Sequence, residues 1–292
     1  MITDILPVID LELFLNEKNN PLTIKECQKA ADALRNYGAL LVKDPRVTEE
    51  DNSRFLDLME DYFAQPLEVK LKDTRPELGY QMGLTPEFKE EPRCYRNPDC
   101  LDIIAQLSED NRPLPITGPD VKWRFSWNIG KIPKETKFPQ LNAESVIPEA
   151  FKDVWSTTMN KWGNQMHRAV IDISRMASVG LGLPVDTLAD LTKNGPHLLA
   201  PTGSDLNVHG KLNTVLAVQA GKQLEWLTGG EVKAGYHEVV VTESTLRAID
   251  DIKKTRPSRP LWRPFKPNAF YPPMLAGNQV KQELGQINLM ES

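Results

Sequence analysis

The sequence predicts a mixed α/β chain, and three observations carry that prediction. Apolar residues recur at helical spacing between residues 23 and 37, and again over the long stretch that begins at Pro148. Short runs such as Ala39–Lys43 and Tyr236–Val241 have the apolar or β-branched composition that is typical of strands. A chain of 292 residues with 40% hydrophobic content is long enough to bury a core between these elements.

The N-terminal part is predicted to be a strand followed by two helices. Leu6–Asp10 has strand character, and Thr23–Glu26 matches a capping box, in which the threonine and glutamate side chains satisfy backbone N–H groups. Gly38 is expected to end this helix, because glycine readily adopts the left-handed conformation found there. After the strand Ala39–Lys43, a second helix is predicted from Thr48 to Pro66, with acidic residues in its first turn.

The middle of the chain has two contrasting parts. From Thr74 to Pro139 the periodicity fades and Pro, Gly and charged residues are frequent, which predicts a long irregular region with short strands. Such a region is often a cover over a functional site, and a disordered insertion is the alternative. From Pro148 to Gly180 the longest helix is predicted, and we expect it to be the spine of the scaffold. His167 lies beside its apolar stripe and is interpreted as a partly buried or surface histidine rather than a metal ligand.

The C-terminal part is predicted to be richer in strands. The expected elements are a helix at Asp186–Lys193, strands at Leu198–Ala200 and Leu212–Ala220, and a helix at Ser244–Lys254. Val218–Thr242 is predicted to be a hairpin that turns at Gly229-Gly230 and carries His237 in its second strand. Six prolines between residues 257 and 273 exclude a long regular strand there, and the stretch 264–292 is expected to be a loose tail.

Composition excludes several classes of function. The formal net charge of −5, without a basic stripe, argues against nucleic-acid binding. No apolar run approaches the roughly 20 residues that span a bilayer, and the N-terminus lacks the pattern of a signal peptide, so a soluble cytoplasmic protein without a membrane partner is expected. Three cysteines, Cys27, Cys94 and Cys100, are an odd number without metal-site spacing. We therefore expect no disulfide framework, and we interpret Cys94 and Cys100 as free thiols in a loop.

Several segments together carry a resemblance to a known family. They are LPVIDL near the start, NYGALLVKDPRV, FAQPLEVK, the helix ending in GLGLP, and Gly221, Leu224, Leu227, Thr228, Gly230, Gly235, His237 and Val239 in the predicted hairpin. In this order they resemble the isopenicillin N synthase-like family of non-haem iron, 2-oxoglutarate-dependent dioxygenases, over most of residues 5 to 263. The resemblance implies a helical layer on a double-stranded β-helix, or jelly-roll, core. It also implies Fe(II) and 2-oxoglutarate as cofactors and a small organic molecule as substrate.

The resemblance implies a metal site of two histidines and one carboxylate, which leaves three positions open on the iron. His237 matches the late histidine of that site. The family's other two ligands form a His-x-Asp pair, and no His-x-Asp occurs in this chain, because Ala169, Leu199, Lys211 and Val239 stand two residues after the four histidines.

The pair would be expected just after LNTVLA, which here runs directly into VQAGKQ. A deletion of the early metal-binding strands, from alternative splicing or an incorrect gene prediction, is therefore expected, and it would leave the jelly-roll core incomplete, with unpaired edges.

Two further features bear on the expected site, a possible substitute for the missing pair and an arginine. Asp205 and His209 are four residues apart and could replace the missing pair, but Pro201, Gly203 and Gly210 favour a surface turn instead. Arg263 matches the arginine that anchors the far carboxylate of 2-oxoglutarate, since a guanidinium can donate two parallel hydrogen bonds to a carboxylate. The family's serine two residues later is replaced by Phe265, so a solvated surface role for Arg263 is an equal alternative.

These expectations define three regions and three functional hypotheses. The regions are an N-terminal dioxygenase-like part at 1–140, the spine helix with a partial jelly roll at 141–263, and the tail at 264–292. The first hypothesis is a dioxygenase of a small organic substrate, and the second is a non-catalytic truncated isoform or binding module of the same family. The third is ring-forming oxidation without 2-oxoglutarate, as in isopenicillin N synthase itself, which also requires the absent His-x-Asp pair. The sequence favours family membership with an incomplete iron site.

Overall fold

The computed structural model of this chain describes residues 6–17, 20–109, 112–113, 118–120, 122–193, 195–203 and 216–235. The helices are α1 (Leu11–Asn16), α2 (Pro21–Tyr37), α3 (Glu49–Phe63), α4 (Leu67–Lys70), α5 (Pro98–Ala105), α6 (Trp155–Gly180), α7 (Thr187–Leu191) and α8 (Lys222–Leu227). The strands are β1 (Val8–Asp10), β2 (Ala39–Lys43), β3 (Gly83–Thr85), β4 (Trp123–Ile129), β5 (His197–Leu199), β6 (Thr202–Gly203) and β7 (Leu216–Gln219). The mixed helix and strand composition is therefore confirmed.

The described strands form two small sheets. In the first sheet, β2 lies between β1, which is parallel to it, and β7, which is antiparallel to it. In the second sheet, β4 lies between β3 and β5, and the two-residue strand β6 also pairs with β4. Pairs in the second sheet are all antiparallel, as in a meander or jelly roll.

Helix α6 contributes to both hydrophobic clusters of the described core. Its first half carries Trp155, Met159 and Trp162 into a cluster with α3, β3 and β4. Its second half carries Ile173 and Met176 into a cluster with α1, α2, β1 and β2. The prediction of a spine helix is thus confirmed. The helix starts at Trp155 rather than Pro148, because the residues before it form a short 3₁₀ turn at Glu149–Phe151.

The start of α2 differs from the predicted capping box. The helix begins at Pro21, and the side chain of Asn20 caps it by accepting a hydrogen bond from the Leu22 N–H. The Thr23 hydroxyl instead donates to the Glu17 carbonyl at 2.7 Å, and Glu26 accepts from the backbone N–H of Asp10 at 3.0 Å. The capping-box prediction was wrong because Asn20 followed by proline at the first helical position is itself a complete start signal.

Gly38 ends α2 as predicted, and its environment explains why glycine is required. Its φ of 63° is left-handed, and its N–H donates to the Leu34 carbonyl. A Cβ atom on Gly38 would lie 2.7 Å from the Cα atom of Gly235. The Ala220 N–H donates to the Gly38 carbonyl at 2.8 Å, so the end of α2 also meets the segment between β7 and α8 backbone to backbone.

Lys70 gives the PLEVK segment a structural role. Its side chain is 5% exposed, its ammonium donates to the Phe63 carbonyl at 2.9 Å, and its Nζ lies 4.2 Å from the centre of the Trp123 ring. The hydrogen bond satisfies a carbonyl at the end of α3, where no intrahelical partner exists. The ring face offsets part of the cost of burying the charge. Lys70 therefore joins the end of α3 to the start of β4.

Three predictions about the described segments need correction. The region Thr74–Pro139 contains β4, at seven residues the longest described strand, so it is more ordered than predicted. The predicted hairpin is also wrong in its first half, because α8 and a turn at Gly229-Gly230 follow β7, which pairs with β2. The predicted second strand of the hairpin, from residue 236, lies outside the described residues.

The third correction concerns the cysteines. Cys94 and Cys100 form a disulfide, and only Cys27 remains a free, buried thiol. The two half-cystines lie in a 3₁₀ turn and in the first turn of α5, and their Cα atoms are 5.2 Å apart, within the range that a disulfide spans. The expectation was wrong because an odd number of cysteines is equally compatible with one disulfide and one free thiol.

Several predictions lie wholly or partly outside the described residues. They are the helix at Ser244–Lys254, the tail at 264–292, and the first four residues of the strand predicted at Leu212–Ala220. The division at residues 140 and 263 stays a prediction. Within the described part of the chain, no helix is long and apolar enough to cross a membrane.

Two glycine substitutions separate backbone strain from steric conflict. Gly182, after α6, has a φ of 74° and open space around its Cβ position, whereas the Cβ position of Gly38 is occupied by Gly235 and Lys233. We expect Gly182→Ala to lower the free energy of unfolding by about 1 kcal/mol, from the left-handed conformation alone. Gly38→Ala should cost at least about twice as much, because the steric conflict is added. Urea denaturation measures both, and equal losses would show that the Gly38–Gly235 contact yields without cost.

Lys70→Ala tests the link between α3 and β4. It removes the hydrogen bond to Phe63 and the contact with Trp123, and it leaves a cavity, so we expect a loss of about 2–3 kcal/mol. Lys72→Ala, at an exposed position two residues later, is the matched control and should change stability by less than about 0.5 kcal/mol. Urea titration followed by tryptophan fluorescence reports both values. Similar values for the two variants would contradict the role of Lys70.

Candidate functional site

The residues predicted from the sequence to bind cofactors lie outside the described structure. These are His237 and Arg263, together with Asp205 and His209. The description ends at residue 235, two residues before His237. The structure therefore shows the segment that leads to His237 and the two described sheets, and these are the features from which a site can be built.

The segment before His237 is fixed by buried polar contacts. Glu225 of α8 is 1% exposed, and its carboxylate accepts from the backbone N–H of Ala234 at 2.7 Å and lies 3.3 Å from the Lys222 ammonium. The Gly235 N–H donates to the Ala220 carbonyl at 2.8 Å, and the Gly235 carbonyl accepts from the side chain of Gln219. A buried carboxylate that binds a backbone N–H and a lysine restricts the backbone strongly, so residues 233–235 have a defined position.

Strand β4 has two chemically different faces. Trp123, Phe125, Trp127 and Ile129 alternate onto the side that joins the aromatic cluster with α3 and α6. Arg124, Ser126 and Asn128 occupy the alternate positions and so lie on the opposite side of the strand. The sequence analysis missed β4, although the period-two pattern WRFSWNI was the signal that could have found it.

The polar face of β4, defined by Arg124, Ser126 and Asn128, is buried rather than solvated. Ser126 and Asn128 are 3% and 9% exposed, and Thr85, the register partner of Arg124 on β3, is 1% exposed. The Nδ2 atom of Asn128 is buried and finds no hydrogen-bond partner among the described residues. A buried donor without a partner is costly, so this face is suited to a ligand that offers an acceptor.

A charge cluster lies at the Arg124 end of this face. Glu90 is 4% exposed and its carboxylate lies 2.7 Å from Arg124 and 3.0 Å from Lys122. Its backbone carbonyl accepts from the Asp120 N–H at 2.8 Å, and the Phe88 N–H donates to the Asp120 carbonyl at the same distance. The cluster therefore closes the base of the long connection between β3 and β4, and Arg124 is neutralised by Glu90 rather than available to a ligand.

Two histidines meet between α6 and β5. The rings of His167 and His197 have centroids 4.1 Å apart and planes inclined at 37°. Burial lowers the pKa of His167, and the nearby His197 lowers it further. Burial also lowers the pKa of His197, and this outweighs the opposing hydrogen bond with the backbone of Thr192. His167 is thus half-buried, as predicted, but its contact with His197 was not foreseen.

The described residues do not fit an iron centre. Within them, no three His, Cys, Asp or Glu side chains gather closely enough to hold a metal ion. The His167–His197 pair has no carboxylate beside it in the described part of the chain. No catalytic step is therefore derived from these residues.

Comparison with known proteins finds a family model that matches the N-terminal region of the chain. Residues 6–135 match a family model described as "non-haem dioxygenase in morphine synthesis N-terminal". This match covers the N-terminal region, which is therefore similar to the non-haem dioxygenase family. No curated protein matches the chain significantly.

Solved structures show the same fold at low sequence identity. A full-length Neurospora crassa protein in complex with alpha-KG and thymine has a TM-score of 0.57 at 15% identity, over 78% of this chain and 77% of that one. A C-terminally truncated form of that protein, in apo form, has a TM-score of 0.53 at 15% identity, over 78% and 86%. JOX2 in complex with 2OG, Fe and JA has a TM-score of 0.51 at 14% identity, over 78% and 68%. The likeness shows that this chain shares the fold of these structures.

The charge cluster at Glu90 yields a testable prediction. Glu90→Gln leaves Arg124 and Lys122 without their shared carboxylate, and breaking a buried ion pair from one side costs about 3 kcal/mol. Glu91→Gln is the matched control, because Glu91 pairs with Arg96, whose side chain is 73% exposed, and should cost less than about 1 kcal/mol. Chemical denaturation of both variants measures the difference. Equal losses would mean that Glu90 does not hold the base of the β3–β4 connection.

Proposed function

We propose that this chain is a small-molecule-binding member of the non-haem dioxygenase family that does not complete the iron site by itself. The single observation that carries the proposal is the absence of any His-x-Asp in the sequence. His237 is then the one residue that matches a metal ligand of the family. One imidazole fills one coordination position, whereas dioxygen-activating iron needs two histidines and a carboxylate.

The proposed deletion lies at the Ala217-Val218 junction, inside β7. LNTVLA runs into VQAGKQ, and β7, at Leu216–Gln219, spans this junction and pairs with β2. The strands that carry the His-x-Asp pair in relatives would enter here, so a jelly roll that lacks them is part of the proposal. The proposal also includes Arg263 as the anchor for the far carboxylate of 2-oxoglutarate. The alternative is that Arg263 is a solvated surface residue.

A binding role is favoured by the polar face of β4. The buried Ser126 and Asn128 and the unpartnered Nδ2 atom of Asn128 suit a small organic molecule with a carbonyl or hydroxyl acceptor. The related structures were solved with thymine and with JA, both small organic molecules. The second candidate function is a working 2-oxoglutarate-dependent dioxygenase, which the fold and the N-terminal family match favour.

Anaerobic titration with ferrous iron and 2-oxoglutarate distinguishes the two functions. A 2-oxoglutarate molecule that chelates iron gives a visible charge-transfer band, and we expect no band from this chain. Insertion of a His-x-Asp segment after Ala217 should restore the band, and a matched insertion with Ala-x-Ala should not. A band from the unaltered chain would contradict the proposal and establish the enzyme.

A further inference from the structure

The His167–His197 contact joins the long helix α6 to the short strand β5. Strand β5 has only three residues and lies at one end of the second sheet, where His197 is the register partner of Ile129 on β4. The ring of His167 reaches it from α6, with centroids 4.1 Å apart. The Leu199 side chain packs on the aromatic cluster, so β5 contacts α6 through Leu199 and the His197 ring, in addition to its pairing with β4.

The chemistry of the imidazole makes this contact sensitive to protons. In the cation both ring nitrogens carry a hydrogen, so both must act as donors. The Nε2 atom of His167 is buried and has no hydrogen-bond partner among the described residues. Protonation would therefore bury a charged donor without an acceptor, directly beside a second ring that also gains charge at low pH.

The surroundings offer no compensating carboxylate among the described residues. On α6, the neighbouring Arg168 donates to the Asn164 carbonyl at 3.3 Å, and its positive charge helps to lower the pKa of Asp44. Near the end of α7, Lys193 pairs with Asp190 at 2.7 Å. Strand β4 contributes the apolar Ile129 opposite His197. The one ionisable group that acts on His167 is His197, and no described anion faces either ring.

We propose that the His167–His197 contact is an acid-sensitive clasp, which holds β5 against α6 while both imidazoles are neutral and releases β5 when they become protonated. The proposal concerns described residues only and does not rest on iron binding or on the proposed function. Release of β5 would free one end of the second sheet, next to β6 and the polar face of β4.

The direction of the pH effect follows from the two pKa values. Both are lowered from the ordinary value of 6.5, so the unfolded chain binds more protons than the folded chain in the acidic range. The stabilising contribution of the neutral pair is fully present above pH 6.5. It is lost as the pH falls from there through the lowered pKa values.

Amide hydrogen exchange of the β5 segment tests the clasp directly. After correction for the intrinsic pH dependence of exchange, we expect protection of residues 197–199 to fall at least about tenfold between about pH 7.5 and about pH 5.5. Protection at the centre of α6 should change much less. The double variant His167→Phe and His197→Phe keeps two packed rings without titratable nitrogens, so its β5 protection should stay constant over this range.

Two hydrogen-exchange results and one titration result would contradict the acid-sensitive clasp. An equal fall in the double variant, or no fall in the original chain, would overturn the proposal. If the double variant does not fold, NMR titration of the histidine rings in the original chain decides, because two of the four must titrate below the ordinary value. Four ordinary titrations would also overturn it.

Discussion

The burial of apolar side chains at both ends of α6 is the constraint on which the described structure depends. Trp155 is fully buried against α3 and β4, and Met176 is fully buried against α2 and β2. Complete burial of such side chains contributes about 2–3 kcal/mol each, so the two ends of one helix hold both sheets. The two clusters cannot loosen independently, because they share this helix.

Polar contacts then fix the elements that the hydrophobic clusters only bring together. Arg46, in the turn after β2, donates to both carboxylate oxygens of Asp44 and at 2.9 Å to Asp172 of α6. Lys70 joins α3 to β4, and Glu90 closes the base of the β3–β4 connection. Each is a charged group with at least one partner in another segment. These contacts stabilise the fold through their positions between elements and not through the number of ion pairs.

The sequence predicts much of the helical part of the fold because helical signals are local. The ends of α2 and α6 are marked by Gly38 and by the Gly180–Gly182 stop, and the apolar periods between them are long. The strands are short, and their partners are distant in sequence, such as β7 with β2. The sequence predicts a strand at QLEWL after β7, whereas the structure has a helix there, supported by the contacts of the buried Glu225.

The polar side of the second sheet and the histidine pair were beyond sequence reasoning for a similar reason. The alternation in WRFSWNI assigns residues to two faces, but burial of the polar face is a tertiary property. Likewise, His167 and His197 are 30 positions apart, and only the packing of β5 on α6 brings them together. The prediction that His237 is a metal ligand, by contrast, rests on the family resemblance alone. The structure describes the chain before it up to Gly235.

The central proposal is that this chain, which is similar to non-haem dioxygenases over residues 6–135, presents one metal-ligand histidine instead of a triad. Its most direct test is the iron content after anaerobic loading with excess ferrous iron and removal of unbound metal by gel filtration. The account predicts far less than one iron per chain, with no further decrease beyond that level in His237→Ala. Retention of one iron per chain, lost in His237→Ala, would contradict it and show that other residues complete the site.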